Sequence, residues 1–261
     1  MKEDHAVEQA ARELRDAYLE GPVAPIAPRL IPNTVAAGYA VQEVNTRHWL
    51  RQGRQIVGAK IGLTSAAVRA QIGVDEPDFG ILFADMQVEN GATVSIDRLS
   101  QPRIEAEIAF GIGSELSGSG LRRDTVAAAT AWVAPAIEIV ASRIEDWRCA
   151  IADTVADNAS AGLFVIGADR IDLDPSRLPS LAMSLTADGQ PVSTGAGSAS
   201  MGNPLDAVLW LANMLADLGR PLQEGDIVLS GALGPLITAA PEIDYVVEIE
   251  ALGRAAVRFS A

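Results

Sequence analysis

The spacing of apolar residues predicts helices in the first fifty positions of the chain. Residues 4–20 have apolar residues at helical spacing and are followed by Gly21 and Pro22, which end the pattern. A Pro-rich connector then leads to Thr34, whose hydroxyl is a good N-cap for a second helix that ends near Gln52.

The next segment has the pattern of a short buried strand. Residues 55–63 are mostly apolar and carry glycines at positions where the backbone of a strand comes close to a neighbour. Thr64 or Ser65 is expected to cap a short helix that ends at Gly73.

From about residue 79 the pattern changes to short alternating segments separated by turn residues, which is typical of β-structure. Helical spacing returns at residues 124–133, with Asp124 as the expected cap, and at residues 203–218, with Asn203 as the cap. Asp188-Gly189 lies between two strand-like segments and predicts a β-hairpin.

The end of the chain completes the predicted sheet system with strands over residues 226–230, 244–250 and 255–259. We therefore expect an N-terminal α/β layer over residues 1–75 and a β-rich core over residues 76–261, packed as one compact unit.

Two glutamates are expected on the same face of one strand. In residues 103–110 every second residue is apolar and faces one side of the strand. Glu105 and Glu107 lie between these residues and therefore share the other side. They are separated by about 7 Å, since a strand rises ~3.3 Å per residue. The commonest place for such a pair is the solvent face of an edge strand. Ala109 continues this face without a further charge, which argues against that placement.

A third glutamate, Glu138, is the one ionisable residue in the apolar run 135–141. A buried carboxylate is tolerated when it is protonated, paired with a cation or bound to a metal. Three convergent carboxylates repel one another, and Mg²⁺ or Mn²⁺ bound by Glu105, Glu107 and Glu138 removes this repulsion. Three of six coordination positions then remain for water and a substrate such as a 2-oxo acid, whose enolate the metal stabilises. The alternative is a salt-bridged cluster with Arg103 or Arg143.

Lys60 is the one lysine outside the initiator region, whereas arginine occurs eighteen times. Arginine cannot supply an ammonium group whose pKa changes on burial. Lys60 is therefore a candidate for an acid, a base or a charge partner. Asp78, on a turn that enters the β-rich core, is a candidate acid or base, although a turn acid is equally common there.

The region 153–162 is rich in small polar residues. Here Ser160 is a candidate hydrogen-bond partner for a substrate carboxylate, whereas Asp157 and Asn158 are candidates for satisfying backbone groups. The glycine-rich turn 231–235 lacks the spacing and lysine of a phosphate loop.

Composition excludes several classes of function. The formal net charge of −14 argues against a nucleic-acid partner. No apolar run reaches the ~18 residues of a membrane span, and the acidic N-terminus lacks the features of a signal peptide, so a cytoplasmic protein is expected. The single cysteine, Cys149, excludes an internal disulfide, and the two histidines, His5 and His48, are too few for a His-rich metal site.

Several motifs together resemble the 2-keto-4-pentenoate hydratase and 4-oxalocrotonate decarboxylase family, within the fumarylacetoacetate hydrolase superfamily. They occur in order from about residue 34 to the C-terminus and comprise residues 58–65, 76–80, 103–108, 135–138, 157–160 and 226–235. Residues 142–147 and 154–158 look more like the hydratases than the decarboxylases. The superfamily's C–C hydrolases use a histidine, and these motifs contain none.

The resemblance implies an α+β fold with a mixed β-roll core and a divalent metal on Glu105, Glu107 and Glu138. Lys60 and Asp78 then line the pocket, and Ser160 lies close to the substrate. The expected reaction is the addition of water to 2-hydroxypenta-2,4-dienoate in the catabolism of aromatic compounds. The resemblance also implies a homo-oligomer, a pentamer or decamer, and a complex with a neighbouring pathway enzyme.

Two alternatives follow from the same resemblance. The first is decarboxylation of 2-oxohex-3-enedioate by the same metal and enolate chemistry. The second is a non-catalytic subunit that stabilises such a decarboxylase by co-assembly.

Overall fold

The computed structural model describes residues 2–30, 34–65, 69–70 and 77–261. Its α-helices are α1 (Lys2–Glu20), α2 (Val35–Arg51), α3 (Arg123–Ala129), α4 (Ile151–Ala156) and α5 (Pro204–Asp217). Its strands are β1 (Ile56–Gly62), β2 (Asp78–Phe83), β3 (Gln87–Val88), β4 (Thr93–Ser95), β5 (Arg103–Ile112), β6 (Thr130–Val140), β7 (Ala161–Ile166), β8 (Ala182–Ala187), β9 (Gln190–Ala196), β10 (Ile227–Leu229), β11 (Ile237–Thr238), β12 (Asp244–Ile249) and β13 (Gly253–Ser260).

The strands form two mixed sheets that share one hydrophobic core. The larger sheet has the order β2-β1-β10-β5-β6-β7-β3, and β11 pairs with β5. The smaller sheet has the order β4-β13-β12-β8-β9. The β1–β10, β3–β7 and β4–β13 pairs are parallel and the other pairs are antiparallel. This arrangement confirms the α+β prediction with a mixed β core.

Capping and turn residues act where the sequence places them. Thr34 Oγ1 accepts a hydrogen bond from Ala37 N (3.2 Å) at the start of α2, and Asn203 Oδ1 accepts one from Leu205 N (3.0 Å) at the start of α5. Asp188 and Gly189 have φ values of 47° and 76°, which fit the tight β8–β9 hairpin. These two helices and the hairpin are confirmed.

The helix expected over residues 124–133 is wrong at its C-terminal end. The helix ends at Ala129, and the chain continues directly into β6. Trp132 and Val133 pair with β5, so sheet pairing overrides the local helical spacing at these aromatic and β-branched residues. Asp124 accepts a hydrogen bond from Thr125 N (3.0 Å) within the first turn, and Arg122 is the residue at the cap position.

Two expectations from the sequence fall largely outside the described residues. They are the helix after Thr64 and the boundary between the two parts near residue 75, and both stay predictions. The first part contributes β1 to the larger sheet, where Gly58 packs so closely on β10 that a β-carbon would lie 1.8 Å from Ile227 O. Among the described helices, none combines the length and the hydropathy that crossing a bilayer requires.

Candidate active site

Pairing of β5 and β6 brings the three predicted carboxylates together. Glu105 lies directly opposite Glu138 in the register of the two strands, and Glu107 follows on the same face of β5. Both faces of β5 are covered, so Glu105, Glu107 and Glu138 are only 5%, 0% and 1% exposed. The solvent-face interpretation of Glu105 and Glu107 is therefore wrong.

The three carboxylates offer one ligand oxygen each, and these oxygens lie within 4.8 Å of one another. Glu107 Oε1 and Glu138 Oε2 are buried and accept no hydrogen bond from any described residue. Glu107 Oε2 accepts one from Gly231 N (2.7 Å), which fixes the orientation of this side chain. Hard oxygen ligands with unused lone pairs fit a divalent cation such as Mg²⁺ or Mn²⁺.

Lys60 on β1 is the cation beside this cluster. Its Nζ lies 3.2 Å from Glu138 Oε1, and its side chain is 3% exposed. The alternative ion pairs of the cluster with arginine are absent from the described structure, since Arg143 pairs with Asp157 and Arg103 stacks on the ring of Trp147.

Burial and mutual repulsion act against the ionised carboxylates. Burial raises the pKa of Glu105 to about 8, and the charge of Glu138 adds to this shift. The same two causes raise the pKa of Glu107 well above its usual range. Burial lowers the pKa of Lys60, but Glu138 and the other nearby carboxylates outweigh it, so the pKa rises and Lys60 is held as an ammonium. The cluster is short of positive charge, as a metal site is before its ion binds.

Asp78 opens β2 opposite Gly62 at the end of β1. A β-carbon at Gly62 would lie 2.1 Å from Asp78 Oδ1 and 3.4 Å from Lys60 Nζ, so glycine here makes room for the carboxyl group. Asp78 is 1% exposed, and Oδ1 has no hydrogen-bond partner in the described part of the chain. Burial raises the pKa of Asp78, and Lys60 opposes this shift.

Ser160 ends an unusual turn between α4 and β7. Asn158, Ala159 and Ser160 have φ values of 55°, 50° and 52°, in the left-handed region. The Asn158 side chain holds this turn against β2, since it accepts from Ile81 N (2.7 Å) and donates to Ile81 O (2.9 Å). The expectation that Asn158 satisfies backbone groups is confirmed.

Lys60, Asp78, Glu105 and Ser160 line one cavity, and Glu107 and Glu138 join it through their shared cluster with Glu105. The remaining described lining is uncharged and consists of Gly62, Leu63, Val140, Trp147, Thr154, Ala159 and Leu236. A larger cleft of about 690 Å³, which includes His48, contains none of the six residues that the sequence singled out. We therefore place the candidate active site in the smaller cavity.

Sequence reasoning missed three features of this site. Gly231 donates to Glu107, although the glycine-rich turn gave no sign of a partner 124 positions away. Trp147 lines the cavity, and its ring is held by the Arg103 guanidinium 4.3 Å from its centroid. Arg143 and Asp157 form a buried ion pair beside Ser160. Of these three features, only the buried ion pair had a signal in the sequence, which was the density of polar residues in 153–162.

Comparison with known proteins gives consistent relationships over almost the whole chain. Residues 44–260 match the model of the fumarylacetoacetate (FAA) hydrolase C-terminal family. The chain is 48% identical to 2-keto-4-pentenoate hydratase 2 of Dechloromonas aromatica, over 98% of each chain. It is 44% identical to 2-keto-4-pentenoate hydratase of Paraburkholderia xenovorans, over 97% of this chain and 95% of the relative.

A solved structure is similar in fold and sequence as well. The 4-oxalocrotonate decarboxylase from Pseudomonas putida G7, complexed with magnesium and adipate, superimposes with a TM-score of 0.92 at 32% identity. The match covers 99% of this chain and 98% of that one.

Proposed function

Because the chain belongs to the fumarylacetoacetate hydrolase family, we propose that it is a metal-dependent hydratase of 2-hydroxypenta-2,4-dienoate, the enol of 2-keto-4-pentenoate. The product of water addition is 4-hydroxy-2-oxopentanoate. The full-length relatives named as hydratases, at 48% and 44% identity, confirm the class of reaction that the sequence predicted. The observation in the structure that carries this proposal is the buried cluster of three carboxylates with Lys60 at 3.2 Å.

Glu105, Glu107 and Glu138 are the residues that hold Mg²⁺ or Mn²⁺ in this proposal. Their buried oxygens without partners support it, as does the magnesium of the decarboxylase to which the chain is similar. When bound, the ion neutralises the carboxylates and polarises the 2-oxygen of the substrate.

Lys60 and Asp78 have different roles in this proposal. Lys60, whose raised pKa keeps it protonated, stabilises negative charge that develops on the substrate oxygen atoms. Asp78 has an oxygen without a partner and a pKa raised by burial, so it is the group in the described cavity suited to take and return a proton. It exchanges that proton with water or with a carbon of the dienoate. Ser160, which lines the same cavity, contacts the substrate or the water.

The wall of the cavity favours hydration over decarboxylation. 2-Oxohex-3-enedioate carries a second carboxylate at the end that the dienoate leaves apolar. A buried carboxylate requires a cation or several donors. The uncharged part of the described lining includes Val140, Trp147 and Leu236, which pack together in one apolar cluster. The apolar character of this lining therefore suits the vinyl end of a monocarboxylic substrate better than a second carboxylate.

Product analysis with both substrates tests the proposal. The purified protein with Mg²⁺ is given the dienoate and, separately, 2-oxohex-3-enedioate, and the products are identified by mass. We expect 4-hydroxy-2-oxopentanoate from the first substrate. Carbon dioxide and the five-carbon dienoate from the second substrate, with no hydration product from either, would identify a decarboxylase. No turnover of either by folded protein with Mg²⁺ or Mn²⁺ would indicate a non-catalytic subunit.

Replacing Leu236 by Arg tests the assignment of the cavity wall. The guanidinium gives a second carboxylate a partner, so we expect a six-carbon diacid to inhibit about tenfold more strongly than it inhibits wild type, since a charge-assisted hydrogen bond contributes about 1.5–3 kcal/mol. Turnover of the dienoate falls in the same variant. Leu236→Met conserves the volume and is the control. If wild type already binds the diacid as tightly as the five-carbon monoacid, the assignment is wrong.

Assembly and location rest on the family resemblance and on composition. We propose a homo-oligomer, a pentamer or decamer, that associates with a neighbouring enzyme of the same pathway. Light scattering after gel filtration gives the number of subunits. The cytoplasmic location expected from the sequence also stays a prediction.

A further inference from the structure

Arg143 and Asp157 form a buried ion pair that the proposed reaction does not use. Arg143 Nε donates to Asp157 Oδ1 (2.5 Å), and its backbone N donates to Oδ2 (3.0 Å). The terminal guanidinium nitrogens donate to the carbonyls of Ala141, Ala161 and Asp157. Arg143 is 2% exposed, and every nitrogen of its side chain donates a hydrogen bond within the protein. It is therefore not a ligand for substrate, and its effect on the reaction passes through Asp157.

Asp157 determines the direction in which the Ser160 hydroxyl points. Burial raises the pKa of Asp157, and the guanidinium of Arg143 and the donated hydrogen bonds oppose that shift. A guanidinium stays protonated in proteins, so the ionised carboxylate is the form that pairs with it, and this form only accepts hydrogen bonds. Ser160 Oγ lies 3.3 Å from Asp157 Oδ2 and is therefore the donor. A hydroxyl has one proton, so Ser160 presents lone pairs to the cavity.

The backbone around Ser160 is held in a costly conformation. Left-handed φ values cost about 1–2 kcal/mol for a residue other than glycine, and Ala159 and Ser160 both have them. The two hydrogen bonds of Asn158 to Ile81 hold the turn in place. Strain of this kind persists where surrounding contacts over-determine a conformation, and it is common at sites where a side chain must be aimed.

We propose that Arg143 and Asp157 are positioning residues that fix Ser160 as a hydrogen-bond acceptor for the water that adds to the substrate. This inference rests on the proposed hydratase function. An ionised substrate carboxylate needs donors, so the orientation of Ser160 suits water better than the substrate carboxylate expected from the sequence. Ser160 and Asp78 line the same cavity.

Ser160 and Asp78 act on different O–H groups of the water. One O–H of the water donates to Ser160 Oγ, which fixes the position of its oxygen. As the oxygen forms its bond to C4, the other O–H bond breaks and its proton passes to Asp78. This C4 is electrophilic after the dienoate ketonises, a step in which the O–H proton at C2 leaves and a proton adds at C5, so that the remaining double bond joins C3 and C4. As water adds, the electron pair of that C3–C4 double bond moves into an enolate over C2 and C3, and the proton held by Asp78 then passes to C3. The sum is the addition of one water molecule.

Ser160→Ala and Asp157→Asn test the inference by separating kcat from KM. We expect kcat to fall about tenfold in each variant, the value of one hydrogen bond, with KM and the inhibition constant of oxalate within about twofold of wild type. The double variant is expected to be no slower than the slower single variant, because both changes remove the same interaction. Asp153→Asn is the control, since Asp153 is also buried in α4 but accepts from Ile26 N and Ala27 N (2.7 and 2.8 Å). It lowers the melting temperature and leaves kcat unchanged.

The outcomes separate this inference from the proposed function. Wild-type protein that hydrates no dienoate refutes the proposed function itself. With an active wild type, a tenfold rise in KM and in the oxalate inhibition constant of Ser160→Ala, at unchanged kcat, makes Ser160 a carboxylate ligand and overturns the inference. Full kcat in folded Asp157→Asn overturns it as well. If Asp157→Asn does not fold, Ser160→Ala alone tests the inference. A lower kcat with KM nearly unchanged supports it, and a higher KM with kcat unchanged overturns it.

Discussion

Glu107→Gln is expected to lower kcat/KM about 10³-fold, because the loss of a metal ligand removes several kcal/mol of transition-state stabilisation. Burial and the neighbouring glutamates raise the pKa of Glu107 well above its usual range, which favours the protonated form of this group in the metal-free protein. Glutamine has the shape and charge of that protonated form and still accepts from Gly231 N through its carbonyl oxygen. Metal-free Glu107→Gln is therefore expected to melt at the same temperature as metal-free wild type, or above it.

The metal dependence of melting separates this effect from misfolding. An ion at 100 times its Kd stabilises wild type by about 2.7 kcal/mol, and the variant is expected to lose most of this gain. Glu248→Gln, an exposed change on β12 that breaks only an ion pair with Arg254, is the matched control and keeps both activity and the metal effect. If Glu107→Gln retains the melting shift with Mn²⁺, Glu107 is not a ligand.

Lys60→Met is expected to lower activity without weakening metal binding, unlike Glu107→Gln. We expect kcat to fall by about 10²–10⁴, the range for removing a group that handles charge or a proton in the transition state. Metal binding is expected to be retained or tightened, because the ammonium 3.2 Å from Glu138 competes with the ion for the same carboxylates. Isothermal titration with Mn²⁺ and steady-state kinetics measure the two effects independently.

Lys60→Arg is the control that keeps the positive charge. The guanidinium is larger and planar, and Lys60 is only 2% exposed, so the surrounding residues leave little room for it. We therefore expect a loss of activity in this variant too. Full activity in Lys60→Arg would mean that any cation serves at this position.

The sequence predicted the members of the site through local patterns. Alternation placed Glu105 and Glu107 on one face of a strand, and an apolar run isolated Glu138. The convergence of the three carboxylates was inferred from the cost of burying them, because the register of β5 against β6 is not visible in the sequence. The structure sets Glu105 opposite Glu138. The inference from the sequence agrees with the observed register because buried charges have few stable arrangements.

Features that depend on long-range contacts were not predictable from local spacing. The contact of Gly231 with Glu107 joins positions 124 residues apart. Residues 130–133 have helical spacing, but their pairing with β5 makes them a strand. The direction of the Ser160 hydroxyl depends on Arg143, which the sequence offered only as a partner for the glutamates.

The most direct test of the central claim is an anomalous difference map from crystals grown with Mn²⁺ and oxalate, a mimic of a 2-oxo acid. We predict one peak that is coordinated by Glu105, Glu107, Glu138 and the two oxalate oxygens, with Lys60 and Asp78 facing the same ligand. A peak elsewhere, or carboxylates that diverge with oxalate bound away from them, would contradict the account.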